Sequence, residues 1–290
     1  MFKNLDEDEL RALLQKKEEE IIFLKDELLK AAHQMERFAE RTEEQGRISA
    51  SLLKLLSPTE FPQIPGYQIS SKFSASFKGS EYMELVNYKE KTHFGILMSH
   101  CEGAGLSALF LACLLKMSPE MDSARRLGSY EFVQKISKEL QESLDEKAKL
   151  SIFYAMMNRT SSELNVTSFG NYLLLKRDKE ENLSLVSEFN PEISSQTILE
   201  ENRQPIGLAM EEHLVVLSPG FLKAFTFSSQ NSAADFFKDK LKKLDWSDLN
   251  QVRNEFFVLQ SEALNGKKSD YDACVLVMQN QDRSLKLASV

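Results

Sequence analysis

The chain has 290 residues, of which 28% are charged, and it carries a net charge of -8 at pH 7. This length allows one large domain or two modest ones, and the acidic balance argues against general nucleic-acid binding. Three cysteines give no pairing framework, so we interpret them as buried free thiols in a reducing cytosol. The acidic N-terminus lacks the apolar core of a secretion signal, and the longest apolar run, Leu106 to Leu115, is too short for a membrane span. We therefore expect a cytoplasmic protein.

A charged segment without proline, residues 5 to 55, opens the chain. Its apolar residues recur every seven positions, with polar interruptions such as Lys17. One register contains Leu14, Ile21, Leu28 and Met35, and the other contains Leu10, Leu24, Ala31, Phe38 and Leu52. This heptad seam predicts a coiled coil, and a parallel homodimer is the simplest structure that buries it. A single amphipathic helix packed on its own domain is the alternative.

Pro58, Pro62, Pro65 and Gly66 end this helix and force an extended passage. We therefore divide the chain into a coiled-coil dimerisation helix, residues 1–56, and a globular domain, residues 57–290. The strand candidates of the globular domain are residues 67–77, 81–89, 93–99, 164–170, 172–177, 182–189, 212–220 and 273–279. Helices are predicted over 104–117, 123–145 and most of 225–264. This order of elements predicts an α+β sandwich.

Seven stretches in this order resemble motifs of the PPM-type Ser/Thr phosphatases, in the branch of stage II sporulation E-like and sigma-regulator phosphatases. "IPGYQISSKFSAS" is similar to the opening strand of that branch, "KGSEYMELV" to its Gly-Gly-Asp-Tyr-Tyr-Asp strand, and "ILMSHCEGAGLSALFLA" to its Asp-Val-Ser-Gly-His-Gly turn and helix. "VTSFGNYLLL" resembles the Ala-Gly-His-Pro stretch, "QPIGL" the Pro-Leu-Gly, "HLVVLSPGFLKAF" the strand before Thr-Asp-Gly, and "YDACVLVMQ" the closing Asp-Asp strand. The resemblance covers about residues 55 to 280 and implies a PPM phosphatase-like αββα sandwich.

The resemblance also implies four carboxylate positions that hold two Mg²⁺ or Mn²⁺ ions, and this chain departs from most of them. The positions fall at Glu81, His100 (Ser99 if the turn slips by one), Pro219 and Tyr271. Asp272 matches the second acid of the closing pair, which is not the usual ligand. Because hard ions require oxygen ligands, we expect no catalytic residue, no metal and no cofactor, with Glu81 and Asp272 as candidate residual ligands.

Several side chains also have a plainer structural interpretation. We interpret Glu81 as a solvated strand-end carboxylate, with metal ligation as the alternative. His100 is expected to be a hydrogen-bonded turn residue and Cys101 a buried thiol, in preference to a metal ligand and a nucleophile. His213, which follows two glutamates at a strand start, is expected to lie at the surface.

These patterns together predict a catalytically inactive PPM-like pseudophosphatase. The resemblance implies a dimeric bacterial signalling protein that acts in partner switching and binds an anti-sigma antagonist or another regulator. The alternative is an active phosphatase with an altered metal site built from Glu81, His100 and Asp272, which would need Mg²⁺ or Mn²⁺. A further alternative is a scaffold in which the coiled coil is the functional part.

Overall fold

The globular domain consists of two five-stranded antiparallel sheets that face each other. The computed structural model describes residues 7–39, 63–76, 81–88, 92–102, 128–141, 149–186, 190–194, 197, 200 and 204–281. Sheet I contains, in spatial order, β1 (Tyr67–Ser74), β10 (Ala273–Asn280), β9 (His213–Leu217), β6 (Leu173–Arg177) and β7 (Leu183–Leu185). Sheet II contains β2 (Glu81–Asn87), β3 (His93–Glu102), β4 (Lys149–Asn158), β5 (Glu163–Phe169) and β8 (Gln204–Gly207).

Side chains alternate between two apolar layers along each strand, as the pleat requires. On β3, Ile96 and Met98 face the layer between the sheets, whereas Leu97 faces outward. Helix α2 (Ser129–Gln141) covers the outer face of sheet II through Phe132 and its neighbours. The four-layer αββα sandwich predicted from the sequence is therefore confirmed.

Three further helices lie between β9 and β10 in the chain. They are α3 (Pro219–Leu222), α4 (Gln230–Leu241) and α5 (Leu249–Ala263), and the two longer ones cover the outer face of sheet I. Ser229 and Ser232 form a capping box at the start of α4, and the carboxylate of Asp248 accepts the Asn250 N–H at the start of α5. The single helical region predicted over 225–264 is thus two helices, each with its own cap.

The N-terminal helix α1 (Glu7–Ala39) runs through the predicted seam. Three apolar seam residues, Leu14, Ile21 and Leu24, are 59%, 39% and 49% exposed in the single chain. The proline-rich boundary near residue 56 lies outside the described residues. The helix is therefore observed, whereas the coiled coil, the homodimer and the division into two domains remain predictions.

Two strands of sheet II, β4 and the short edge strand β8, were missed. Strand β4 lies at the centre of this sheet, yet its sequence "LSIFYAMMN" shows no alternation, because both of its faces are buried. Helix α2 begins at Ser129, later than the predicted start at residue 123, whereas residues 142–145 and the helix predicted over 104–117 lie outside the described residues. None of the described helices is long and apolar enough to cross a membrane.

Candidate functional site

Four strand ends meet at one edge of the sandwich, and we call this place the strand-end edge. Glu81 begins β2 and is paired in register with His100, near the end of β3. From sheet I, the turn Ser218–Gly220 follows β9, and Asp272 immediately precedes β10. The backbone N–H of Gly220 donates to Oε1 of Glu81 at 2.8 Å, so this carboxylate connects the two sheets.

Glu81 is buried at this edge, with only 1% of its surface exposed. Its Oε1 lies 3.5 Å from Nδ1 of His100, and its Oε2 has no hydrogen-bond partner among the described residues. Burial raises the pKa of Glu81, while His100, Ser218 and Gly220 act in the opposite direction. The interpretation of Glu81 as a solvated carboxylate is wrong, because its alternation with Met83 points it into the layer between the sheets.

Asp272 is fully buried, and both of its carboxylate oxygens accept backbone hydrogen bonds. Oδ1 accepts the N–H of Ser76 at 2.5 Å, and Oδ2 accepts the N–H of Glu81 at 3.2 Å. Ser76 follows β1 of sheet I, and Glu81 begins β2 of sheet II. The side chain therefore fixes the connection between the sheets, which is a structural role in addition to any ligand role.

The turn after β9 is shaped by a helix cap. Ser218 is the N-cap of α3, and its Oγ accepts the N–H groups of Phe221 at 3.3 Å and Cys274 at 2.9 Å. Pro219 occupies the first helical position, where its missing N–H has no cost, and its side chain offers no ligand atom. The sequence reasoning missed Ser218, although a serine directly before a proline is a recognised signal for a helix start.

Gly220 lies close to the backbone of Asp272 and to the side chain of Glu81. A Cβ at this position would lie 2.0 Å from the carbonyl oxygen of Asp272 and 2.7 Å from Oε1 of Glu81. Only glycine therefore allows α3 to approach both carboxylate residues. Beside it, Tyr271 is half-buried, and the ammonium of Lys223 lies 4.1 Å from the centre of its ring, in a cation–π contact.

The structure confirms the prediction for Cys101 but not the predictions for His100 and His213. His100 is fully buried, and neither ring nitrogen has a hydrogen-bond partner among the described residues, so the expected hydrogen-bonded turn residue is not observed. Cys101 is a buried thiol, as predicted. His213 is only 3% exposed, so the surface assignment is wrong. Its strand, β9, lies at the centre of sheet I and is covered on both faces.

The environment of His213 explains its charge state. Its Nε2 lies 3.2 Å from the carbonyl oxygen of Trp246, and the two rings contact each other edge to face. Burial lowers the pKa of His213 to about 4, with a further contribution from Arg177. Because a carbonyl only accepts, Nε2 carries the proton of the neutral ring. This residue lies at the opposite end of β9 from Ser218.

The sandwich with converging strand ends belongs to a known class of fold. Neither a family model nor a curated protein sequence matches the chain. Solved structures that match include the PP2C phosphatase domain with a regulatory-domain fragment of SpoIIE from Bacillus subtilis, the RsbU and RsbW domains of a Mycobacterium tuberculosis protein, and the SiaA PP2C domain of Pseudomonas aeruginosa. Their TM-scores are 0.60, 0.60 and 0.62, at 14%, 13% and 13% sequence identity.

These matches cover 74%, 78% and 84% of this chain, and 64%, 63% and 97% of the three matched chains. The chain thus spans less than two thirds of the first two. At such identities the likeness establishes the fold alone. The chain has the fold of the PP2C, or PPM, phosphatase domains, and the resemblance predicted from the sequence motifs is confirmed at that level.

The expectation that the protein takes no cofactor is wrong for this fold. Several of the matched solved structures are PP2C phosphatase domains, and another matched structure, at a TM-score of 0.55 and 11% identity, is RsbX in complex with magnesium. Mg²⁺ or Mn²⁺ is therefore the cofactor class that the fold implies.

The side chains at the strand-end edge fit a two-ion centre poorly. Among the described residues, Glu81 and Asp272 are the buried carboxylates there, and three of their four oxygens already accept backbone hydrogen bonds. Pro219 offers no donor atom, and within the described ranges no three His, Cys, Asp or Glu side chains are grouped to hold a metal ion. Hard divalent ions prefer several charged oxygens, so the described residues do not supply the ligand set that the resemblance implies.

Proposed function

We propose that the protein is a catalytically inactive PPM-like pseudophosphatase that signals by binding a regulatory partner. The observation that carries this proposal is the strand-end edge itself. Pro219 and Tyr271 stand at two positions where the resemblance implies metal-binding aspartates, and the backbone N–H groups of the protein engage both oxygens of Asp272. Catalysis by two metal ions requires most ligands together, because groups that act as a unit are far from additive.

The proposed setting is bacterial, cytoplasmic and dimeric. Two of the matched structures are SpoIIE and the RsbU and RsbW domains, and a third matched structure, at a TM-score of 0.52 and 12% identity, is described as the bacterial stressosome, a modular signalling system. By analogy of fold, we propose a partner such as an anti-sigma antagonist or another regulator of this kind. The heptad seam of α1, with its exposed Leu14 and Leu24, supports a homodimer through this helix.

A second candidate function is favoured by one observation. Glu81 and His100 lie close together and are both buried, with 3.5 Å between Oε1 and Nδ1. A carboxylate and an imidazole are a ligand pair for a transition metal, which would suit an altered-site phosphatase. We favour the inactive protein because Oε1 of Glu81 is already engaged by Gly220 and Pro219 adds no ligand atom.

Restoring the implied carboxylates tests the proposal. The combined change His100→Asp, Pro219→Asp and Tyr271→Asp is expected to give the protein a Mn²⁺-dependent phosphoester hydrolysis that the unmodified chain lacks. The same three positions changed to asparagine form the matched control, because the side-chain size is kept and the negative charge is not.

The single substitutions discriminate further. Each aspartate alone is expected to leave the hydrolysis rate at the background without enzyme, because an incomplete ligand set gives little of the full effect. The proposal that carboxylates are missing would be contradicted by a single aspartate substitution that confers the full hydrolysis rate. It would also be contradicted if the triple asparagine variant hydrolysed the phosphoester as fast as the triple aspartate variant. Circular dichroism of each variant confirms that it is folded.

A further inference from the structure

Three polar side chains lie side by side across sheet II at the strand-end edge. Glu81 on β2, His100 on β3 and Ser151 on β4 are successive partners in register. Each shares the phase of residues in the layer between the sheets, such as Met83, Met98 and Phe153. We call these three residues the inward row. All three are buried, so the row faces the inside of the sandwich and not solvent.

The polar atoms of the inward row are not satisfied by the protein. Within the described part of the chain, Oε2 of Glu81, both ring nitrogens of His100 and Oγ of Ser151 have no hydrogen-bond partner. The buried hydroxyl of Tyr172 also has no hydrogen-bond partner among the described residues. The ring of Tyr172 lies 5.7 Å, centre to centre, from that of Phe153, which shares the phase of the row. Burial raises the pKa of Tyr172 well above its ordinary value, and Glu81 adds to the effect.

Direct pairing within the row is weak. Nδ1 of His100 and Oε1 of Glu81 lie 3.5 Å apart, which is long for a hydrogen bond. Residues opposite each other on neighbouring strands have Cβ atoms about 5 Å apart, a spacing that one bridging molecule can span. Polar groups in protein interiors are nearly always hydrogen-bonded to protein or to ordered water, so five orphan atoms at one place require an explanation.

A glycine closes the row on the Ser151 side. Gly170 has a φ of +87°, and a Cβ there would lie 2.1 Å from Oγ of Ser151. The backbone N–H of Gly170 is already bonded to the carbonyl oxygen of Asn190 at 3.0 Å, so it is not available to the row. The backbone of Gly170 therefore lies close to the Ser151 hydroxyl, but its N–H does not form a hydrogen bond with it.

We propose that ordered water molecules, buried between the two sheets, bridge the inward row and the hydroxyl of Tyr172. Water fits the orphan atoms because each molecule both donates and accepts and needs two to four polar partners, which this place provides. A metal ion fits less well, since the row itself supplies only one carboxylate and one imidazole. This inference is independent of whether the protein has phosphatase activity.

A crystal structure of the full chain, at a resolution that resolves ordered water, tests the proposal. Density peaks are expected at about 2.6–3.2 Å from Oε2 of Glu81, a ring nitrogen of His100 and Oγ of Ser151, with no anomalous signal after soaking in Mn²⁺. The proposal is overturned if the side chains pair directly with each other and no density lies between them. An anomalous peak at the same position would also overturn it, because the bound species would then be a metal ion.

The variant Ser151→Ala should lose the water that contacts this hydroxyl and retain the others. The matched control is Ser99→Ala, because Ser99 is also buried and has an unpartnered hydroxyl, but it shares the outward phase of Leu97. Unchanged water density in Ser151→Ala, or lost row density in the control, would contradict the assignment. Water-to-amide nuclear Overhauser effects at His100 and Ser151 of the unmodified chain test the same point without any variant, and their absence would also contradict it.

Discussion

At the scale of residues, the strand-end edge is held together by contacts between carboxylates and backbone. Glu81 accepts a hydrogen bond from Gly220, in the turn after β9 of sheet I, and its own N–H donates to Asp272. The sequence pattern indicated Glu81 and Asp272 as carboxylates of interest, and the structure places them together. It did not indicate their burial or their bonds to the backbone, because those contacts join positions 139 and 191 residues apart in the chain.

Gly220 provides the first test at this scale. Gly220→Ala should lower the free energy of unfolding by about 1–3 kcal/mol, because the added Cβ would meet the carbonyl oxygen of Asp272 at 2.0 Å. Urea denaturation followed by circular dichroism measures the change. The control is Gly207→Ala, where a Cβ has no atom within 4 Å. Equal stability of Gly220→Ala and the unmodified chain would mean that the close approach is absent.

His213 gives a prediction for the pH dependence of stability. Its pKa is lowered from 6.5 to about 4, so the folded protein holds the ring neutral at pH values where the unfolded chain protonates it. The contribution of His213 is therefore fully present above pH 6.5 and is lost as the pH falls towards 4, with a total of up to about 3 kcal/mol. His213→Gln should show a smaller decrease over this range in urea denaturation.

The titration of the His213 ring followed by nuclear magnetic resonance measures the same quantity directly. A midpoint near 6.5 in the folded protein would contradict the explanation by burial. The sequence suggested a surface residue here because Glu211 and Glu212 precede it, but the side chains of central strands are covered on both faces whatever their neighbours in the chain.

At the scale of elements, the sequence was most informative where a pattern has one exposed face. The alternation of β1 and the periodicity of α2 were visible, since each has a polar side. Strand β4 has nearly continuous burial and no polar side, so its sequence does not distinguish a strand from a buried helix. The short helix α3 was missed because four residues are too few for a period to appear.

The N-terminal helix α1 carries the prediction about assembly. Leu24→Glu should convert the proposed dimer to a monomer, because a charge buried in a coiled-coil seam without a partner costs several kcal/mol. Light scattering or native mass spectrometry measures the change in mass. Ile22→Glu is the matched control, since Ile22 is 60% exposed in the single chain and lies outside the two seam registers.

Removal of residues 1–55 should have the same effect as Leu24→Glu and leave a folded globular domain. A truncated protein that still has the mass of a dimer would place the contact in the sandwich instead. If the unmodified chain is a monomer, the homodimer is wrong. The heptad pattern would then belong to a single amphipathic helix packed on its own domain.

At the scale of the whole molecule, the sequence was more informative about the fold than about the chemistry of the site. The two sheets and their outer helices match PP2C domains at TM-scores up to 0.62, although only 13% of the residues of that match are identical. The order of the motifs was enough to predict this fold, because turns and strand lengths constrain topology more than individual side chains do. The site could be predicted only position by position, since the side chain at one turn position, such as Pro219, can differ while the order of the strands stays the same.

Phosphoester hydrolysis by the unmodified full-length chain is the most direct test of the central claim. The substrate is a generic phosphoester at millimolar Mg²⁺ or Mn²⁺, with an active PP2C domain as the positive control. We expect a rate equal to the background without enzyme, and no further loss in Glu81→Ala or His100→Ala. A metal-dependent rate that both alanine substitutions abolish would contradict it and would identify the protein as a phosphatase with an altered site.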